Sequence, residues 1–159
     1  MSPMNVKSGE LLRHDARERA NHWLVVILFV LLAVSGLALF HPAFFFLSAL
    51  LGGGVWTRIL HPFLGVLMFA SFARLAQSVS ADNRIESCDE AWMRRLGDYI
   101  NNRDADLPPI DKYNAGQKYA FWILVACTGL LLVSGVLLWR PWFAGLFPIP
   151  LIRIGAVVH

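Results

Sequence analysis

The sequence predicts an all-α integral membrane protein, a four-helix transmembrane bundle with a cytoplasmic N-terminus and a fourth helix cut short at His159. Three observations predict it. The 159 residues are 57% hydrophobic and only 16% charged, with a mean hydropathy of +0.53. The apolar residues fall into long uncharged runs, which a soluble core does not need. The basic residues gather beside those runs rather than on one soluble face.

A helix needs roughly 20 residues to cross about 30 Å of hydrocarbon. Residues 23–40 form an uncharged run of 18, and residues 119–139 one of 21. Residues 56–76, also 21 long, carry only Arg58 and Arg74 near their ends. The expected spans are about 22–41, 56–78 and 116–139, with 148–159 as an incomplete fourth. The first is no signal peptide, because it is too long, lacks a small-residue cleavage site and precedes further spans.

Lys7, Arg13, Arg17 and Arg19 precede the first span, and the loop 80–115 with its flank holds Arg84, Arg94, Arg95, Arg103, Lys112 and Lys118. The opposite side has Arg58, Arg140 and Arg153. The positive-inside rule then places the N-terminus and that loop in the cytoplasm. The apolar piece 42–55, ending in three glycines, is expected on the outer interface or against a partner. Residues 89–100 suit one short amphipathic helix, and Leu107-Pro108-Pro109 breaks any helix before the third span. Residues 139–142, Trp-Arg-Pro-Trp, form an aromatic belt with a turn. The last apolar run, 147–159, has 13 residues, too few to cross, so a truncated chain is expected. No repeat or low-complexity stretch stands out.

Cys88 and Cys127 make neither a disulfide framework nor a zinc or iron–sulfur pattern, so thiolate holds no cofactor here. No C-x-x-C-H occurs, which removes c-type haem. No hydrolytic chemistry and no nucleic-acid partner is expected.

The histidines carry the chemistry. His14 reads as a solvated residue of the tail, and His41 as an interfacial residue at a helix stop. His22, His61 and His159 sit in or at the edge of apolar runs, where histidine by default marks a site. Singly, each is equally read as a packed side chain bonded to a neighbouring helix. Together they sort by depth. His61 and His159 both enter from the outer side and reach similar depths at about 1.5 Å per residue. His22 is alone in the inner half. Two imidazoles from different helices at one depth suit axial ligation of haem iron, a site built for electron transfer. Gly65, Ser35-Gly36 and Ser134-Gly135 thin the helices for a porphyrin or, equally, for close helix packing. Arg58, Arg140 and Arg153 are candidates to balance the propionates of an outer haem, and Arg17 and Arg19 those of an inner one. Topology and headgroup contact explain the same arginines.

Asn21-His22-Trp23, Arg58-Ile59-Leu60-His61-Pro62-Phe63, Lys112-Tyr113-Asn114-Ala115-Gly116-Gln117-Lys118 and Trp139-Arg140-Pro141 resemble, in order and spacing, the cytochrome b556 (gamma) subunits of membrane-bound respiratory formate dehydrogenases. The resemblance runs from about residue 16 to 159. It implies two b haems: one held by His61 and His159 near the periplasm, and one held by His22 and a later histidine that this sequence does not reach. It also implies a site for menaquinone or ubiquinone near Asn114, Gly116 and Gln117. On physical grounds Asn114 and Gln117 are amides three apart at a span entrance, able to bond a quinone carbonyl, and Gly116 lets a flat ring approach. The same stretch reads equally as a helix cap with Asn114 as N-cap.

The resemblance further implies an electron-transfer subunit in the bacterial inner membrane. Formate oxidation then lies on a catalytic (alpha) subunit with molybdenum or tungsten, connected through an iron–sulfur (beta) subunit, both periplasmic. Electrons moving inward while protons are consumed inside build membrane potential, worth about 2.3 kcal/mol per charge per 100 mV. The alternatives are a cytochrome b of a hydrogenase or thiosulfate reductase, or a haem-free membrane anchor. A transporter is disfavoured, since no span carries an acidic residue or a broken helix pair.

Overall fold

The computed structural model describes residues 6–7, 10–11, 16–101, 103, 108, 112–140 and 142–159. His14, Arg13 and most of the expected break at 107–109 lie outside the described residues. Two short strands, β1 (Val6–Lys7) and β2 (Glu10–Leu11), pair antiparallel with Val6 opposite Leu11. The other regular elements are helices: α1 (Ala16–Phe40), α2 (Gly54–Val79), α3 (Ser87–Arg94), α4 (Leu96–Ile100), α5 (Ala115–Leu138) and α6 (Ile149–Val158). Among the described residues, the 3₁₀ helices Pro42–Leu51 and Ala144–Leu146 follow α1 and α5.

α1, α2 and α5 are long and apolar enough to cross a membrane. α1 begins at Ala16, several residues before the apolar run, because Ala16, Arg17, Glu18, Arg19 and Ala20 are good helix formers and extend it into the polar tail. α6, at 10 residues, reaches only about 15 Å. α1 packs along α2, α2 against α5, and α5 against α6.

The packing is inverted relative to a soluble core. Ser35 and Thr57 are fully buried, and Ser134 and Ala38 nearly so, while Phe29 and Val133 are each 60% exposed. Small residues let the helices approach, and large apolar ones face outward to lipid. Ser35, Thr57 and Ser134 place their hydroxyls on the carbonyls of Leu32, Gly53 and Leu130, and no buried side-chain polar atom among the described residues is orphaned.

The piece between α1 and α2 is a 3₁₀ helix capped by His41, whose Nδ1 accepts from the Ala43 amide at 3.2 Å. That explains the exposed His41 as a capping residue. Its exit needs the glycine run. Gly52 and Gly53 have φ of 83° and 96°, and a Cβ on Gly54 would lie 2.7 Å from the Phe45 ring. Thr57 Oγ1 closes the corner on the Gly53 carbonyl at 2.9 Å.

The expected single helix over 89–100 is instead two, α3 and α4, hinged at Arg95. Arg95 leaves helical geometry at φ −106°, ψ 18°, and its amide closes α3 on the Trp92 carbonyl. α3 starts earlier than expected because Glu86 and Asp89 form a reciprocal capping box. It packs on α5 through the buried Trp92 and a buried Asp89–Lys118 ion pair.

Candidate functional site

His61 lies about two turns into α2, and His159 directly follows the last turn of α6. The structure brings them together. Their ring centroids are 6.1 Å apart and the planes cross at 79°. Each ring is held from behind by a serine on the preceding long helix. Ser35 Oγ lies 2.7 Å from His61 Nδ1, and Ser134 Oγ 2.9 Å from His159 Nδ1.

Each serine hydroxyl also lies within reach of a carbonyl of its own helix, Ser35 Oγ of Leu32 at 3.1 Å and Ser134 Oγ of Leu130 at 2.8 Å. Donation of the serine proton to that carbonyl pairs the serine oxygen with Nδ1–H and leaves Nε2 with a lone pair, the form in which imidazole binds a metal. The following glycines make room for the rings. A Cβ on Gly36 would sit 3.6 Å from His61 Cε1, and one on Gly135 3.2 Å from His159 Cε1. Gly65, one turn beyond His61, faces Leu32 instead, as close helix packing requires.

A metal bound by both rings fits this spacing. Two metal–imidazole bonds of about 2.0 Å plus the two ring radii come to roughly 6 Å between centroids. Among the described residues no group of three or more His, Cys, Asp and Glu gathers, so a metal cage built from protein alone is not offered. Two lone imidazoles on facing helices suit a metal already held equatorially by a macrocycle.

Beside the 3₁₀ helix Ala144–Leu146, Arg140 and Arg153 line one groove of about 480 Å³ with Ala144, Gly145, Ile149 and Ile152. Arg58 is exposed and does not line it.

His22 is exposed near the other end of α1. It lines a groove of about 330 Å³ with Glu18, Arg19, Trp23, Leu75 and Val79. Its neighbour Asn21 ties α1 to α2 by donating to the Ser71 carbonyl at 2.9 Å. Of the described histidines, only His61 and His159 meet each other.

Asn114 and Gln117 form a reciprocal capping box at the start of α5. Asn114 Oδ1 accepts from the Gln117 amide at 2.9 Å, and Gln117 Oε1 from the Asn114 amide at 3.0 Å. The cap reading of these two residues is thus realised. Their oxygens are committed to the cap, and each side chain carries an NH₂ group that can donate beside it. The flat ring beside Gly116 is Trp92, whose indole would lie 3.8 Å from a Cβ there.

Sequence reasoning missed the roles of Ser35 and Ser134, and the signal was an internal repeat. Residues 31–42, LLAVSGLALFHP, match residues 130–141, LLLVSGVLLWRP, at seven of 12 positions. Trp23 and Trp122 match at the same offset. Each copy is followed by a histidine, 26 residues after Ser35 and 25 after Ser134.

The family model for prokaryotic cytochrome b561 matches residues 13–159. The chain is 41% identical over 149 residues to the formate dehydrogenase cytochrome b556(fdo) subunit of Escherichia coli K12, covering 94% of this chain and 70% of that one. It is 35% identical over 153 residues to the nitrate-inducible cytochrome b556(Fdn) subunit of the same organism, covering 96% and 70%. A formate dehydrogenase cytochrome b556 subunit of Haemophilus influenzae is 36% identical, covering 100% of this chain and 67% of its own.

Proposed function

Because the chain belongs to the prokaryotic cytochrome b561 family, we propose that it is the cytochrome b subunit of a membrane-bound respiratory formate dehydrogenase, passing electrons to membrane quinone. The observation that carries the reading is the His61–His159 pair, 6.1 Å between centroids, with each Nδ1 on a serine hydroxyl. His61 and His159 would hold a haem b near the outer membrane face, and that group would supply a reversible one-electron iron couple; two protein ligands would leave no open position for oxygen chemistry. Arg140 and Arg153, which share the outer groove, balance its carboxylates.

His22 is one ligand of a second haem b near the inner face. It precedes Ser35 by 13 residues on α1, so the two sites stand roughly 20 Å apart along the helix. Asn114 and Gln117 present their free NH₂ groups to a quinone carbonyl at the inner end of α5, beside Gly116. The quinone is menaquinone or ubiquinone.

The protein is a multi-pass membrane protein of the bacterial inner membrane, a four-helix bundle of α1, α2, α5 and α6 with a cytoplasmic N-terminus. The charge pattern supports that orientation, since α3 and α4 with their arginines share one side with the N-terminus. Its partners are an iron–sulfur subunit and a molybdenum- or tungsten-containing catalytic subunit on the periplasmic side.

The test is affinity purification of the tagged chain from native membranes. Recovery with an iron–sulfur and a molybdenum or tungsten subunit, and formate-driven quinone reduction, is expected. Recovery with a hydrogen-oxidising partner, or with no redox subunit, contradicts the proposal.

A further inference from the structure

The two serine–histidine pairs are made alike. In each, a long helix carries Val-Ser-Gly, the serine hydroxyl lies within hydrogen-bond distance of both a carbonyl of its own helix and an imidazole Nδ1, and the glycine clears space for the ring. In each, the histidine arrives from the next helix 26 or 25 residues later. Four residues before each histidine stands a buried small residue, Thr57 or Gly155, that lets the helices close up. Two copies of one helical hairpin therefore face each other, each contributing one ring.

We propose that Ser35 and Ser134 are paired positioning residues, which lock His61 and His159 in the Nδ1–H tautomer and hold their ring planes crossed near a right angle. The inference rests on the reading of His61 and His159 as haem ligands. Neither serine touches the iron; both act through an imidazole. A serine accepting from Nδ1–H draws that proton outward and raises the basicity of Nε2. A more basic ligand favours the ferric state, so the serines lower the potential of the outer haem. The 79° crossing has its own signature. Crossed imidazole planes leave the partly filled iron d orbitals close in energy, and ferric iron so held gives a resonance with one very large g value. Near-parallel planes give three well-separated g values.

The experiment compares the purified complex with its Ser35→Ala and Ser134→Ala variants by redox titration and by electron paramagnetic resonance of the oxidised form. Thr128→Ala is the control. Thr128 makes the same kind of bond, to the Leu124 carbonyl at 2.7 Å, but holds no imidazole. Each serine variant is expected to keep its haem, to titrate at a more positive potential, and to lose the large-g signal in favour of a more rhombic one. Thr128→Ala is expected to match the wild type. If an alanine variant loses haem, the corresponding Ser→Thr variant, which restores the hydroxyl, is expected to recover it with the wild-type signal; no recovery overturns the inference. Serine variants with wild-type potential and signal overturn it alone. A wild-type complex without b-type haem overturns the site reading and this inference with it.

Discussion

Lys118 Nζ donates to Asp89 Oδ2 at 2.8 Å, and the two side chains are only 4% and 7% exposed. This bond fastens the loop helix α3 to the first turn of α5, next to the Asn114–Gln117 cap. Burial pushes the Asp89 carboxyl up, but the hydrogen bonds from Lys118 and the Glu86 amide, with the Lys118 charge, outweigh it. The carboxyl ends below the usual carboxylate range.

Removing one partner strands a buried charge. Lys118→Met is expected to cost roughly 3–5 kcal/mol, and the double variant Asp89→Leu/Lys118→Met far less. Denaturation of the detergent-solubilised complex measures both.

A depressed folded value means that the Asp89 contribution is fully present above the unfolded carboxylate pKa. It is lost as pH falls through the lower folded value. Hydrogen exchange over residues 87–94 is therefore expected to stay slow through mildly acidic pH and to rise only below the usual carboxylate range. Release of α3 at near-neutral pH contradicts this sign.

The cap and the quinone roles of Asn114 and Gln117 separate by substitution. Asn114→Ala removes the cap acceptor and is expected to cost about 1 kcal/mol of stability. Asn114→Asp/Gln117→Glu keeps both accepting oxygens and removes both NH₂ donors. That variant is expected to be as stable as the wild type, to lose quinone reduction, and to retain formate oxidation with an artificial acceptor. Unchanged quinone turnover removes these residues from the quinone site.

The two glycines behind the rings differ in clearance. A Cβ at Gly36 meets His61 at an ordinary 3.6 Å, whereas one at Gly135 presses His159 at 3.2 Å. Gly135→Ala is expected to shift the haem absorption bands more than Gly36→Ala does. Equal shifts mean that the rings are free to move.

The proposed function assigns His22 to a different site from His61. His22→Ala is expected to remove one haem per chain while leaving the potential and signal of the other intact. Loss of both by this substitution contradicts separate sites.

Much of this was legible in the sequence, for identifiable reasons. Length and lack of charge marked α1, α2 and α5, because crossing hydrocarbon leaves few alternatives. Counting residues from the outer edge brought His61 and His159 to one depth. The serines were not legible, because a Val-Ser-Gly triplet inside an apolar run looks like ordinary helix packing. Its second copy lies 99 residues away among leucines that repeat by composition alone. The break at Arg95 was hidden because neither Gly nor Pro stands at that position to mark it. Asn114 was correctly ambiguous, since one residue can cap with its oxygen and still donate with its nitrogen.

The pairing of His61 with His159 is most directly tested by the reduced-minus-oxidised spectrum and haem content of the purified complex carrying His61→Ala or His159→Ala. Each substitution is expected to abolish the same single b-type component, with the double variant no worse than either. Full haem content in His61→Ala, or loss of different components from the two variants, contradicts a shared iron.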